Sequence, residues 1–284
     1  MLHDAGELYK LLETNLALLI PAFIFGSIIG SFLNVCIYRL PRGESVVFPS
    51  SHCPICKAPI RFYDNIPILS YILLRGRCRA CGVKISPQYI IVEALSGISC
   101  ALILWGFGLR VEAAFYFVFI AALIVVTFID LEHKIIPDVV TIPLLVIGLL
   151  YAALRTNWGV LKFLTSSVGG FWDILFIIDK IPITNSLLGA ILGAAMLWSV
   201  GFIYEKLRGR EGMGMGDVKL LAMMGAFLGW SGVIFVTLIG SFLGTVVGLS
   251  LVLFKGKDLK YAVPFGPFLS VGGVIYFVFS NVRF

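Results

Sequence analysis

The sequence predicts an all-α integral membrane protein with about eight transmembrane helices and a zinc-binding loop domain on the cytoplasmic side. Three observations lead to this fold class: the composition, a series of long apolar segments, and one polar loop with four cysteines. Hydrophobic residues make up 59% of the 284 residues and charged residues 13%, with a mean hydropathy of +1.00. Soluble domains average about 45–50% apolar and about 25% charged residues. The composition therefore excludes a disordered chain, a secreted disulfide scaffold and a nucleic-acid-binding protein.

The apolar segments have the length that a bilayer requires. A spanning helix needs roughly 20 mostly apolar residues to cross about 30 Å of hydrocarbon with every backbone group bonded internally. The sixth segment is short and ends in Gly-Trp-Ser-Gly, so it is either tilted or continuous with the seventh. The predicted spans are 16–38, 89–106, 113–129, 139–154, 184–204, 218–231, 233–254 and 262–281.

The distribution of Lys and Arg predicts the orientation, because cytoplasmic loops carry the excess of basic residues. One set of loops, counted with the adjacent Lys219, holds sixteen of the 22 basic residues. We expect this set to face the cytoplasm, and the positive charge is then a topology signal. The connection 155–183 is expected on the opposite side, along the membrane interface. The predicted cytoplasmic loops are 39–88, 130–138, 205–217 and 255–261.

The loop 39–88 contains two Cys-x-x-Cys pairs, Cys53 with Cys56 and Cys78 with Cys81. Four thiolates in two such pairs can enclose a tetrahedral Zn²⁺. The alternative is two disulfides, which a reducing cytoplasm disfavours. Four protein sulfurs leave no open coordination position, so the sequence predicts a structural zinc ion that folds a loop too small to hold its own core.

Two aspartates lie at predicted cytoplasmic ends of spans, Asp130 after the third span and Asp217 before the sixth. Asp217 and Asp138 could each simply cap a helix. Asp130 fits this explanation less well, because a carboxylate at a helix C-terminus opposes the helix dipole. If Asp130 and Asp217 face each other, they can share a proton, one accepting from water and the other donating to a carbonyl oxygen. This is the chemistry of an aspartyl protease.

Glycines at 212, 214 and 216 precede Asp217 and would let an extended peptide approach its carboxylate without side-chain clash. Glu93, inside the second span, is another candidate, since an intramembrane carboxylate is functional by default. Pairing of Glu93 with loop arginines is an equally good explanation.

These motifs together resemble the bacterial type IV prepilin peptidases, which are membrane aspartyl proteases with a Gly-x-Gly-Asp motif. The resemblance rests on Gly214 to Leu220, on Asp130 followed by Ile136-Pro137-Asp138, and on the double Cys-x-x-Cys. It also includes the segments 30–41 and 65–71, which look like that family's first span and cytoplasmic loop.

The resemblance implies cleavage of the basic leader of type IV prepilins or type II secretion pseudopilins, with Asp130 and Asp217 as the catalytic pair. It further implies methylation of the new N-terminus from S-adenosylmethionine, for which the sequence offers no binding fingerprint of its own. The implied location is the bacterial inner membrane, with the active site at the cytoplasmic face. The implied domains are 1–107, containing the loop and the methyltransferase part, and 108–284, a six-helix peptidase domain.

A second function from another class is a zinc-stabilised membrane scaffold or transporter in which the aspartates bind ions. A transport path is expected to place carboxylates near mid-membrane, often within paired repeats. Both aspartates here lie at one predicted face, and the sequence contains no internal repeat. The peptidase is therefore favoured, with prepilins and the lipid bilayer as partners and no nucleic acid.

Overall fold

A computed structural model describes residues 2–156, 181–209, 213–255 and 263–281, and the side chains within these ranges from residue 18 onwards except those of Lys255 and Asn281. Most of the connection 155–183, and Gly212, lie outside the described residues. In the described part the chain is helical, with two 3₁₀ turns, two isolated β-bridges and no β-strand. The α-helices are α1 Leu2–Arg39, α2 Leu69–Leu73, α3 Gln88–Phe107, α4 Val111–His133, α5 Asp138–Arg155, α6 Pro182–Arg208, α7 Met215–Lys255 and α8 Gly266–Asn281.

Six of these helices, α1 and α3 to α7, contain stretches long and apolar enough to cross a membrane. The apolar part of α8, Gly266–Ser280, is shorter. The span of α7, Met215–Phe254, has 40 residues, which as a straight helix would measure about 60 Å, twice the hydrocarbon thickness. The chain is therefore a multi-pass membrane protein, and the sixth and seventh predicted spans are the two parts of α7.

The chain divides into two compact units, Met1–Val125 and Val126–Phe284. In the first unit α1 packs on α3 through small residues. A Cβ on Gly26 would lie 2.7 Å from the carbonyl oxygen of Ser96, and the Ser96 hydroxyl donates to the Gly26 carbonyl at 2.7 Å. Close backbone approach and interhelical hydrogen bonds stabilise helix pairs where lipid supplies no hydrophobic driving force.

In the second unit α6 and the first part of α7 (215–228) pack antiparallel on glycines. Gly189 lies directly against Gly225, and a Cβ on Gly193 would lie 2.5 Å from the carbonyl oxygen of Leu221. Gly189 and Gly193 are four residues apart, so both lie on the same face of α6. That face is flat enough for the backbones of α6 and α7 to touch.

α7 is interrupted at Gly229, whose φ of 76° and ψ of −178° are essentially restricted to glycine. The side chain of Asn185 on α6 occupies the space where a Cβ of Gly229 would lie. Its Oδ1 accepts a hydrogen bond of 3.1 Å from the Trp230 N–H. Asn185 thus caps the second part of α7 (230–255) from a neighbouring helix, as an N-cap residue does within one chain segment.

Beyond this interruption α7 folds back. A straight helix would separate Gly216 from Gly244 by about 42 Å. Instead both glycines lie near the start of α8, because Ile136 contacts Gly216 and Gly266, and the ring of Phe265 lies against Gly244. The two parts of α7 therefore make two passes.

We predict that Gly229→Ala lowers the thermal stability of the protein in detergent, because alanine is strained at this φ and its Cβ meets Asn185. The expected cost in free energy of unfolding is about 1–3 kcal/mol. Gly248→Ala is the matched control, since Gly248 lies in the same helix with open space around it and alanine favours helix. Equal melting temperatures for wild type and Gly229→Ala would contradict the account of the interruption.

Candidate active site and metal centre

Asp130 lies in the last turn of α4 and is only 5% exposed. The Gly266 N–H, at the first residue of α8, donates to its Oδ2 at 3.0 Å. A Cβ on Gly266 would lie 2.7 Å from the same oxygen, so only glycine fits here without displacing the carboxylate. The N-terminus of α8 supplies the positive partial charge that the C-terminus of α4 does not.

Asp217 lies in the first turn of α7 and is half-buried. Its Oδ1 is buried and has no hydrogen-bond partner among the described residues. Because α7 begins at Met215, Asp217 is inside the helix, and the interpretation of this residue as an N-cap is wrong. A buried, unpartnered carboxylate oxygen is costly for stability, which indicates a role other than folding.

Ile136 brings the segments that carry the two aspartates together. A Cβ on Gly216, next to Asp217, would lie 2.9 Å from the Cβ of Ile136. The N–H of Gly266 donates to Asp130, and a Cβ on Gly266 would lie 3.3 Å from the Cδ1 of Ile136. Ile136 thus links the segments that carry Asp130 and Asp217 within the second unit, and the pairing of the two carboxylates stays a prediction.

The two described glycines before Asp217 differ in their surroundings. Gly216 is part of α7 and packs against Ile136, so close packing is the reason for glycine at this position. Gly214 precedes the helix and is exposed, and a Cβ there would be in ordinary contact, 3.7 Å, with Asp217 Oδ2. The open approach expected from the glycine run is therefore available at Gly214.

Asp138 has a different role from the predicted cap. α5 begins at Asp138 itself, and its N-cap residue, Pro137, has no side-chain cap. The exposed carboxylate of Asp138 instead accepts hydrogen bonds of 2.8 and 2.7 Å from Lys219 Nζ. This ion pair connects the start of α5 to α7, two residues after Asp217.

The four cysteines lie in two turns of the same construction. The Cys53 N–H donates to the Ala58 carbonyl and the Cys78 N–H to the Val83 carbonyl, both at 2.9 Å. In each turn the residue after the second cysteine, Lys57 or Gly82, has a positive φ and donates back to the first cysteine's carbonyl. Each tight turn points two sulfurs in the same direction.

All four sulfurs lie within 4.8 Å of one another, and the Cys53 and Cys81 sulfurs are 3.9 Å apart. A tetrahedral Zn²⁺ with Zn–S bonds of about 2.3 Å separates its sulfurs by about 3.8 Å. The cysteines are free, so the alternative of two disulfides does not match the structure. A hydrogen bond from the Cys56 N–H lowers the pKa of Cys53 to about 6. The Val83 N–H lowers the pKa of Cys81, but burial and hydrogen bonds to the other cysteines outweigh it and raise that pKa to about 11. Binding of a metal ion would therefore release protons from the cluster.

Glu93 is buried on α3 and accepts a 2.7 Å hydrogen bond from the Ile68 N–H. The expected pairing with loop arginines is wrong for the described residues: the carboxylate holds the loop backbone at Ile68, which has a φ of 64°. Among the arginines, Arg79 bonds Asp64 with distances down to 2.6 Å and lowers the pKa of that carboxyl. Glu93 therefore has a structural role in anchoring the loop.

Sequence reasoning missed Gly266 and Asn185, and it used Ile136 only as part of the family motif. The segment 264–267 reads Pro-Phe-Gly-Pro, and a proline in the first turn is a helix-start signal that locates α8. Nothing in the sequence indicates that this start lies beside Asp130.

Two family models match the chain. Residues 24–107 match the bacterial peptidase A24 N-terminal domain, and residues 117–249 match the type IV leader peptidase family. The chain belongs to the type IV leader peptidase family. The family resemblance inferred from the sequence motifs is thereby confirmed.

Curated relatives of similar length carry the name prepilin leader peptidase/N-methyltransferase. The Xanthomonas campestris pv. campestris protein is 34% identical over 279 residues, covering 90% of this chain and 89% of the relative. The Neisseria gonorrhoeae protein is 35% identical, covering 92% and 90%. The Pseudomonas aeruginosa protein is 30% identical, covering 94% and 92%. No solved structure matches the chain.

We predict that Glu93→Ala makes the loop 40–87 more sensitive to limited proteolysis, because the Ile68 N–H loses its acceptor at a cost of about 1–3 kcal/mol. Glu93→Gln keeps an acceptor oxygen and should behave much more like wild type. Glu44→Ala removes an exposed loop carboxylate and serves as the control. Cleavage of Glu93→Ala at the wild-type rate would contradict the anchoring role.

Proposed function

We propose that this chain is an aspartyl endopeptidase that removes the basic leader of type IV prepilins or type II secretion pseudopilins. Asp130 and Asp217 are the proposed catalytic pair. The observation that carries the proposal is that Ile136 contacts both Gly216, next to Asp217, and Gly266, whose N–H binds Asp130, in a member of the leader peptidase family. The relatives' names support the substrate class.

The surroundings of the two carboxylates support separate roles. The Gly266 N–H and the positive end of α8 favour negative charge at Asp130, whereas Asp217 Oδ1 has no donor in the described part of the chain. We assign Asp130 as the base that takes a proton from the attacking water. Asp217 donates its proton to the carbonyl oxygen of the scissile bond. The tetrahedral intermediate then breaks its C–N bond, and the leaving amine takes up the proton held by Asp130. One hydroxyl of the intermediate returns its proton to Asp217 as the carboxyl product forms, so both aspartates end in the protonation states in which they began.

The excess of basic residues supports an active site at the cytoplasmic face of the bacterial inner membrane. The basic leader of the substrate would then stay in the cytoplasm while its apolar segment remains in the bilayer. A helical peptide bond is shielded, so the substrate must unwind beside the carboxylates. The open side of Gly214 suits an extended backbone at this point.

For the cysteine cluster we propose a structural Zn²⁺ held by Cys53, Cys56, Cys78 and Cys81. The sulfur positions fit a four-thiolate site, and the set leaves no position for substrate. Zinc binding would supply folding free energy to a loop with few buried side chains.

The N-methylation in the relatives' names supports the same second activity here, with S-adenosylmethionine as the methyl donor. The described residues contain no strand–glycine–helix unit that would suit this cofactor. We therefore assign no residues to it.

We predict that Asp130→Asn and Asp217→Asn each reduce cleavage of a prepilin by at least about a thousandfold. The first change removes the proposed base and the second removes the proposed proton donor. Gly266→Ala keeps both carboxylates but displaces Asp130, so cleavage should also fall strongly. The measurement is turnover of a purified prepilin by the purified protein in detergent, with melting temperature recorded for every variant.

Asp138→Asn is the matched control, since it changes a nearby exposed aspartate whose carboxylate pairs with Lys219. It should retain most of the turnover. Full activity in either Asp130→Asn or Asp217→Asn would refute the catalytic pair and favour the scaffold or transporter.

We predict one Zn²⁺ per chain by elemental analysis of protein prepared without chelator. Cys78→Ser should lower the metal content and make the loop sensitive to protease, because three thiolates bind Zn²⁺ more weakly than four. Cys100→Ser, a buried cysteine of α3 outside the cluster, is the control and should keep its zinc. Metal-free protein with an intact loop would contradict the assignment.

A further inference from the structure

Three cationic side chains, Arg75, Arg77 and Lys84, line an open cavity of about 470 Å³ in the loop that joins α1 to α3. Tyr71, Ser86 and Pro87 are also part of the lining. Gly76 at the cavity has a φ of 64°, and a Cβ there would lie 3.0 Å from the Tyr71 ring. The turn that carries the two arginines is therefore packed closely on this ring.

The three cations of this cavity have no anionic partner among the residues that the structure describes. The loop 40–87 contains two acidic residues, Glu44 and Asp64, and Asp64 is bound by Arg79. Within the described residues no hydrogen bond or ion pair joins Arg75, Arg77 or Lys84 to another side chain. Arg39 shows the opposite case, because its guanidinium is buried and donates to two loop carbonyls at 2.8 and 2.7 Å. The cavity thus concentrates positive charge that no side chain in the described part of the chain neutralises.

The cavity lies next to the point where the chain enters the membrane. Ser86 and Pro87 line it, and the candidate span Gln88–Phe107 begins at the following residue. The ends of a spanning helix lie at the level of the lipid headgroups, which flank about 30 Å of hydrocarbon. A ligand in this cavity is therefore within reach of the bilayer surface.

An exposed apolar face precedes the cavity on the short helix α2. Leu69, Ile72 and Leu73 are 49%, 59% and 72% exposed, and their spacing puts them on one side of the helix. Apolar side chains beside a cationic cluster are typical of segments that lie in the membrane interface. Apolar contact with acyl chains and attraction to anionic headgroups reinforce each other there.

We propose that this cavity binds the phosphate headgroup of an anionic phospholipid, with Arg75, Arg77 and Lys84 as its ligands. Basic pockets beside membrane helices bind such headgroups, and each nearby cation adds to the attraction. A zwitterionic headgroup carries its own ammonium group, which the three cations repel. Binding would hold the loop against the bilayer at the start of α3.

The test uses the full chain purified in a neutral detergent and compares phosphatidylglycerol with phosphatidylcholine of the same acyl chains. Lipid bound per protein is measured by native mass spectrometry over a lipid titration. Arg75→Gln with Arg77→Gln removes two charges from the cavity. Arg42→Gln with Arg61→Gln removes two charges from the same loop outside the cavity and is the matched control.

We expect wild type to prefer phosphatidylglycerol. The double variant Arg75→Gln with Arg77→Gln should bind this lipid roughly tenfold more weakly than wild type does, at an unchanged zinc content. The control pair should bind as wild type does, and Arg75→Lys with Arg77→Lys should retain most of the affinity. Lys84→Gln is a second, single-charge test in case the double variant does not fold.

Three results would overturn the proposal. The first is equal binding of both lipids by wild type, and the second is the same loss in the control pair, which would mean general charge attraction. The third is displacement of the lipid by inorganic phosphate or S-adenosylmethionine, which would indicate a site for a soluble ligand.

Discussion

The hydrogen bond from the Gly266 N–H to Asp130 is the interaction on which the second unit depends. A carboxylate buried at the C-terminal end of an apolar helix needs a donor, and α4 itself offers none. The donor comes from the first residue of α8, so α8 must begin at the same end of the unit as α4 finishes. That requirement determines the path of the long helix α7 before it.

A straight α7 could not meet this requirement, because it would carry the chain about 60 Å away from its own start. The ten residues between α7 and α8 span at most about 36 Å when fully extended. The interruption at Gly229 reverses the direction of the helix, and Asn185 caps the second part from α6. An interaction at one end of the unit is thus made possible by a glycine and an asparagine at the other.

Some of this organisation could be predicted from the sequence because it is local. Apolar runs, paired cysteines and a Gly-x-Gly-Asp motif are each contained in a few neighbouring residues, and each of the two cysteine turns is likewise formed by six consecutive residues. The partners of Asp130 and Glu93 could not be predicted, since Gly266 and Ile68 contribute only backbone N–H groups and lie 136 and 25 residues away. Every residue except proline has a backbone N–H group, so the residue type does not show which of these groups will bind a carboxylate. The sequence therefore identifies which carboxylates need explanation but not what satisfies them.

The three carboxylates Asp130, Asp217 and Glu93 show how burial and bonding separate structure from chemistry. Glu93 is buried and bonded to a loop backbone, so folding alone explains it. Asp130 is buried with one oxygen bonded, and Asp217 keeps a buried oxygen without any partner in the described part of the chain. Removing water from a carboxylate without replacing its hydrogen bonds costs stability, and such a cost is retained where the group must react. By this criterion Asp217 is the residue least explained by folding, and the proton donor of the proposed pair needs an oxygen that no protein group occupies.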